Sequence, residues 1–260
     1  MKGIILAGGH GTRLHPITKA VSKQLLPVYE KPMIYYPLST LMLTGLRDIL
    51  LITTPHDQPA FQRLLGDGSH LGLRLSYVTQ EAPNGLAEAL ILGERFLDGD
   101  KCALILGDNL FHGPGLGTHL AEYTAVDGAI IFAYQVSDPE RYGVVEFAGD
   151  GRVLSIEEKP AHPRSSYVVP GMYFYDEKAV KFAHELTPSH RGELEITALN
   201  SAYLERGELR VVPLSRATTW LDTGTYESLY EATGLVRALQ HRSGMRIGDV
   251  EQIARDHGWI

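Results

Sequence analysis

At 260 residues, with 44% apolar and 21% charged residues and a formal net charge of -7, the chain has the composition of a globular protein able to bury a large core. The negative balance and the lack of any Lys/Arg run exclude non-specific binding to nucleic acid or to a membrane surface. The single cysteine, Cys102, excludes an intramolecular disulfide and a cysteine-rich metal cluster.

The first predicted element is a strand, GIILA, which empties into a glycine turn within residues 2–27, KGIILAGGHGTRLHPITKAVSKQLLP. Gly8, Gly9 and Gly11 let main-chain N–H groups approach anionic oxygens with no Cβ in the way, and Arg13 and Lys23 add positive charge. That pattern suits a polyphosphate. A Walker A loop is excluded because Gly11 is followed by Thr12 and Arg13 instead of Lys-Ser/Thr. The dinucleotide fingerprint fails where Leu14 replaces its third glycine. The plain alternative is a glycine turn with ordinary surface cations.

Onward along the chain, helical patterns over 33–44, 58–65 and 86–96 alternate with the strands ILLIT, LSYVT and CALILGD. Such alternation predicts crossover connections and a largely parallel sheet, and the uniformly apolar GIILA, ILLIT and CALIL predict helices over both faces. Cys102 reads as a small apolar residue of one such strand. After Gly128 the strands AIIFAYQV, GVVEFA, VLSIEEKP and GMYFYD follow closely, with a GDG turn at 149–151, and read as antiparallel additions to the same sheet. Helices are predicted over about 192–206 and 225–239, around LRVVPL and TTWLDTG. The reading is one doubly wound, mixed but mainly parallel α/β domain over 1–224, with a C-terminal helical extension over 225–260 packed on it. The N-terminal apolar run stops at Gly8 without a cleavage-site pattern, and no segment nears the roughly 20 apolar residues of a membrane span. The cytoplasm is the expected compartment.

Ligands of open α/β sheets gather at the carboxyl ends of strands, which singles out the glycine turn, Asp108 with Asn109, Glu158 with Lys159, and Asp222. Asp108 and Asp222, converging beside a polyphosphate, would make a Mg2+ site, since that ion takes one or two carboxylates plus phosphate oxygens. Turn or capping roles are the alternative for both. Lys159 is either a solvated cation or a phosphate ligand. Gln80 and Gly85, the latter opening a helix with Asn84 as its cap, suit the edge and face of a planar base. The 11 histidines show no ligand spacing, so His10, His112 and most others read as loop or surface residues.

The segment AGGHGTRLHPITKAVSKQLLPVYEKPMIYYPLSTLM, with LILGDN, DPERYGVVEF, SIEEKP, PGMYFYD, RGELEIT and TWLDTGT, resembles the glucose-1-phosphate thymidylyltransferases. These are sugar-nucleotide pyrophosphorylases with a Rossmann-like nucleotidyltransferase fold. The likeness runs over nearly the whole chain. It implies the reaction dTTP + α-D-glucose 1-phosphate = dTDP-α-D-glucose + diphosphate with Mg2+, at the head of a deoxysugar pathway such as that to dTDP-L-rhamnose. It further implies that Gly8, Gly11, Thr12 and Arg13 wrap the triphosphate with Lys23 and Gln24, and that Gln80 and Gly85 read thymine. Asn109, Tyr142, Gly143, Glu158 and Val169 would surround the glucose, Lys159 would hold its phosphate, and Asp108 and Asp222 would bind the metal. Arg13, Lys23, Asp108, Lys159 and Asp222 are the residues implied in catalysis.

The chain departs from the family pattern at several positions. Many relatives read GGSGTRL where His10 stands, PDGLAQ where Asn84 and Glu88 stand, and a tyrosine for His112, near a region the family uses for a second, regulatory nucleotide site. A homo-oligomer, a tetramer as a dimer of dimers, is implied as well, less firmly because many relatives continue beyond HGWI. Two alternatives remain: the same chemistry with UTP or another sugar, since a missing methyl changes binding by only about 1–3 kcal/mol, and a non-catalytic sugar-nucleotide sensor.

Overall fold

The computed structural model describes residues 1–9 and 11–260; His10 lies outside them. Its contacts divide the chain into two compact units that interleave in sequence. A terminal unit takes residues 2–83, 105–122 and 217–260, and a middle unit takes 84–104 and 123–216 together with Met1. No described helix is long and apolar enough to cross a membrane.

In the terminal unit β1 (Lys2–Ala7) leads through the glycine turn to the short hairpin β2 (Pro27–Val28) and β3 (Lys31–Pro32), then to α1 (Tyr35–Leu43), β4 (Asp48–Thr53), α2 (Gln58–Leu65) and β5 (Arg74–Thr79). β4 pairs in parallel with both β1 and β5. Its residues Ile49 to Ile52, like Ile4 and Ile5 of β1, are fully buried, as expected of strands in a crossover-linked sheet. Pro37 is tolerated in α1 because the third helical N–H has no partner within the helix in any case. α2 stops at Gly66, whose φ of 59° ends the helix without Cβ strain.

In the middle unit α3 (Glu88–Leu92) and α4 (Glu94–Leu97) precede β6 (Cys102–Leu106), a strand whose last two residues are counted with the terminal unit. The terminal unit continues with β7 (Asn109–His112) and α5 (Leu116–Ala121). The middle unit resumes with β8 (Ala129–Gln135), β9 (Gly143–Phe147), β10 (Val153–Glu158), β11 (Tyr167–Val168), β12 (Met172–Tyr175), α6 (Ala179–Glu185), α7 (Ile196–Glu205) and β13 (Leu209–Pro213). β14 (Thr219–Asp222), α8 (Tyr226–Ser243) and α9 (Val250–Asp256) then belong to the terminal unit.

The strands after Gly128 are indeed antiparallel additions: β9 pairs with β10 and β11, and β8 with β11 and β12. β13 joins β8 in parallel. The β9–β10 hairpin closes on the GDG signal, with Gly151 at φ 86° and its N–H donated to the Ala148 carbonyl at 2.9 Å. This is the mixed α/β sheet architecture expected from the sequence.

Two local expectations need correction. The helix read over 86–96 is two shorter ones, interrupted at Gly93, where a residue without Cβ weakens the helix by about 1 kcal/mol against alanine. Asn84 is not the cap of α3, which starts after Ala87 with no side-chain cap; the Asn84 amide instead donates to the Glu88 carboxylate at 2.8 Å.

Residue 225, read as the start of the helical extension, is the cap of α8. Thr225 accepts from the Ser228 N–H, and the Ser228 hydroxyl accepts from the Thr225 N–H, a reciprocal capping box. Ala232 and Val236 of α8 are fully buried against Val28, Met33, Tyr36 and Leu110. The last residues dock on Gly72: a Cβ there would stand 2.6 Å from that of Trp259, over whose ring Arg47 lies at 5.4 Å.

Candidate functional site

In the terminal unit the turn after β1 begins at Gly8, where a Cβ would stand 2.5 Å from the Gln80 side-chain oxygen. A side chain at Gly8 would have to push aside the end of the Gln80 side chain, which lies across it. Gly11 has φ 61°, and a Cβ on it would be squeezed between Thr18 and the Lys23 Cβ at 3.1–3.2 Å. The Thr18 hydroxyl closes the turn by donating to the Gly11 carbonyl at 2.7 Å. Gly11, Thr12 and Gln80 line one cavity of about 940 Å3. Arg13, on the short 3-10 turn Thr12–Leu14, is exposed.

Lys23 and Gln24 are buried. Lys23 Nζ is ion-paired to Asp108 Oδ2, and the Asn109 amide donates to Asp108 Oδ1 at 2.9 Å. Burial pushes the Asp108 carboxyl up, but the Lys23 ammonium and the Asn109 amide outweigh it and hold the group below the ordinary carboxylate range. Asp108 therefore stays ionised at neutral pH. The Asn109 side chain is itself oriented by the Trp220 indole N–H, which donates to its Oδ1 at 2.6 Å. At Gly107 a Cβ would stand 3.0 Å from the Gln24 side chain and 3.1 Å from the Leu6 carbonyl, so a glycine lets this strand end pass close to both.

Asp222 comes to the same place through pairing that its sequence distance hides. β14 runs antiparallel to β7 with Asp222 opposite Asn109. The next residue, Thr223, donates to the Asp108 carbonyl twice, from its hydroxyl at 2.7 Å and from its N–H at 3.1 Å. Two carboxylate-bearing residues 114 positions apart thus end adjoining strand segments. Their hard oxygen donors fit Mg2+, which takes carboxylates together with phosphate oxygens.

In the middle unit three strand ends collect the remaining residues. Tyr142 and Gly143 open β9, Glu158 and Lys159 close β10 with Glu158 in register with Gly143, and Val169 after β11 donates its N–H to the Gly143 carbonyl at 2.8 Å. The Lys159 N–H donates to the Tyr142 carbonyl at 3.0 Å. Lys159 has φ 44°, a left-handed backbone costing about 1–2 kcal/mol for a residue with Cβ. Such strain concentrates at functional positions. Gly143 has Thr197 Oγ1 and Glu158 Oε2 at 3.2 and 3.4 Å from where a Cβ would sit. Gly85, also in this unit, has φ 110° and would place a Cβ 2.3 Å from the Leu194 carbonyl, so chain crossing alone demands glycine there.

Several residues at these places were not singled out from the sequence. The Thr197 hydroxyl donates to Glu158 Oε2 at 2.6 Å, while Arg191 holds Glu195 in a two-pronged pair at 2.8 and 2.9 Å and reaches Glu158 at 3.7 Å. They lie in RGELEIT, a segment without a strand end to draw notice. Thr54, His56 and Asp57 line the 940 Å3 cavity; they follow ILLIT directly, so the strand-end rule could have found them. The Ser22 hydroxyl donates to the Gln24 side-chain oxygen Oε1 at 2.7 Å.

The family model for nucleotidyl transferases matches residues 2–238. A glucose-1-phosphate thymidylyltransferase of Mycobacterium tuberculosis is 57% identical over 260 residues, covering all of this chain and 90% of its own length. One of Neisseria meningitidis is 57% identical over 261 residues, covering all of this chain and 91% of its own. Among solved structures, a Bacillus anthracis protein assigned as a glucose-1-phosphate thymidylyltransferase, in complex with sucrose, matches with a TM-score of 0.85 at 43% identity, over 91% of this chain and 95% of that one. A UDP-glucose pyrophosphorylase with UDP-glucose bound shares the fold, with a TM-score of 0.79 at 24% identity over 92% and 98% of the two chains.

Proposed function

The chain belongs to the nucleotidyl transferase family and, within it, to the glucose-1-phosphate thymidylyltransferases, and on that premise we propose how its residues divide the work. The reaction joins dTTP to α-D-glucose 1-phosphate and yields dTDP-α-D-glucose and diphosphate. Gly8, Gly11, Thr12 and Arg13 cradle the triphosphate, with Lys23 and Gln24 beneath it and Gln80 and Gly85 reading thymine. Tyr142, Gly143, Glu158 and Val169, with Asn109, take the glucose, and Lys159 takes its phosphate.

The observation that carries this reading is the pair of bonds from Thr223 to the Asp108 carbonyl, which brings Asp108 and Asp222 to adjoining strand ends next to Lys23. A protein that only sensed a sugar nucleotide would need neither that carboxylate pair nor the cation fixed to it. Asp108 and Asp222 would hold Mg2+, which supplies neutralisation of phosphate charge when bound. The sugar phosphate is already ionised, so its attack on the α-phosphorus needs no general base. The protein's part is to align the attacking oxygen with the leaving diphosphate and to meet the gathered negative charge with Arg13, Lys23 and Lys159. In this reading the protein works in the cytoplasm as a homo-oligomer, a tetramer built as a dimer of dimers, and residues 225–260 extend a domain that runs to 224.

The test is diphosphate release measured across a panel of nucleoside triphosphates and sugar 1-phosphates. Release is expected to be fastest with dTTP and glucose 1-phosphate. A higher kcat/KM with UTP or another sugar would replace the substrate assignment, and no release with any pair would overturn the reading in favour of a sensor.

A further inference from the structure

Tyr226, the first residue of α8, is 40% exposed, yet its hydroxyl is committed across the chain. It donates to the His15 carbonyl at 2.5 Å and to the Leu14 carbonyl at 3.0 Å, 211 and 212 residues away. One hydroxyl hydrogen is shared by two consecutive carbonyls at the exit of the 3-10 turn that carries Thr12 and Arg13. Leu14, within that turn, is fully buried, so the turn is anchored on its apolar side by Leu14 and on its polar side by Tyr226.

The other end of the contact is rigid as well. Tyr226 follows Thr225, whose capping box with Ser228 fixes the first turn of α8. Asp222 lies only four residues upstream, and Thr223 is bonded to Asp108. Tyr226 therefore joins the glycine turn to the segment that carries one of the two carboxylates, by a contact that neither pattern reveals alone.

We propose that Tyr226 is a positioning residue for the nucleotide: its hydroxyl straps the Gly11–His15 turn to the start of α8 and fixes the triphosphate cradle before the nucleotide arrives. The proposal rests on reading that turn as the cradle. A cradle ordered in advance spares the nucleotide the entropy of ordering it on binding, so the effect falls on nucleotide affinity. The benzene ring is not needed for it; the hydroxyl is.

The test is Tyr226→Phe, which keeps the ring and removes the donor. The KM for dTTP and the dissociation constant for dTTP in the absence of sugar phosphate are expected to rise about threefold to tenfold, the range for one net hydrogen bond. The KM for glucose 1-phosphate and kcat should stay within about twofold, and hydrogen exchange should quicken over residues 11–19. Arg13→Ala, measured alongside, separates the two ideas. Raised dTTP KM in Arg13→Ala with none in Tyr226→Phe overturns the strap and leaves the cradle. Unchanged dTTP KM in Arg13→Ala overturns the cradle and the strap with it. A lower melting temperature in Tyr226→Phe with unchanged dTTP affinity shows a purely structural contact, and also overturns the proposal.

Discussion

Each unit of the molecule buries a carboxylate against a lysine, and the two are handled in opposite ways. In the middle unit the Asp176 side chain is 1% exposed. It accepts from the N–H groups of Gly128 and Lys178, both at 3.0 Å, from the Tyr203 hydroxyl at 2.7 Å, and pairs with Lys178 Nζ at 3.1 Å. In the terminal unit Asp108 is 16% exposed and is held chiefly by two side chains, Lys23 and Asn109. Backbone donors cannot swing away, so Asp176 is a fixed joint tying β12 to α7 and to the start of β8. Side-chain donors can re-aim, which is what the proposed metal role of Asp108 requires; the share of backbone donors, more than burial, is what separates the two carboxylates.

That contrast is broken most directly by neutralising each carboxylate in turn. Asp108→Asn and Asp222→Asn are expected to lower turnover in diphosphate release by about a hundredfold or more while circular dichroism stays native. Wild-type rates in Mg2+ buffer would remove both residues from the reaction. Asp176→Asn should do the reverse, costing about 3 kcal/mol in denaturant unfolding, as for a broken buried pair, with kcat of the folded protein retained. A large loss of kcat without loss of stability would erase the distinction.

Smaller changes sharpen it. Thr197→Val frees the Glu158 carboxylate from a hydrogen bond to a charged acceptor, and should raise the KM for glucose 1-phosphate about tenfold with the KM for dTTP unmoved. Equal effects on both substrates would show that the strand ends of the middle unit are not specific to the sugar phosphate. Gly8→Ala forces the Gln80 side chain aside and should raise the KM for dTTP only about twofold to fivefold, since the far end of a flexible side chain is what must move. If it changed the sugar-phosphate KM instead, Gln80 would have been given the wrong ligand.

Much of this was open to reading from the chain. GIILA, ILLIT, LSYVT and CALIL are β1, β4, β5 and β6 to within a residue or so at their ends; the first, second and last are legible because a strand covered by helices is apolar almost throughout, whereas β5 is only partly covered, with Ser76 exposed. β7 was hidden because NLFH continues the loop that Asp108 opens and offers too few residues for a period. The short helices α5 and α6 and the C-terminal α9 were equally indistinct, since six or seven residues give fewer than two turns of amphipathic pattern. Asn84 had the composition of a cap but no helix began within its reach.

The sequence by itself determined the local chemistry: a glycine turn after an apolar strand, acidic and basic residues at strand ends, and enough of a family signature to name a reaction. These are decided by neighbours within a few positions, where backbone sterics and apolar periodicity act. Only the tertiary structure decided that the strand ending in Asp222 pairs beside Asp108, with Thr223 bonded to the Asp108 carbonyl, that Thr197 bears on Glu158, and that Tyr226 reaches back to Leu14 and His15. Those partners lie 39 to 212 residues apart, and nothing in a local pattern records which distant donor a polar group will find once burial forces it to have one.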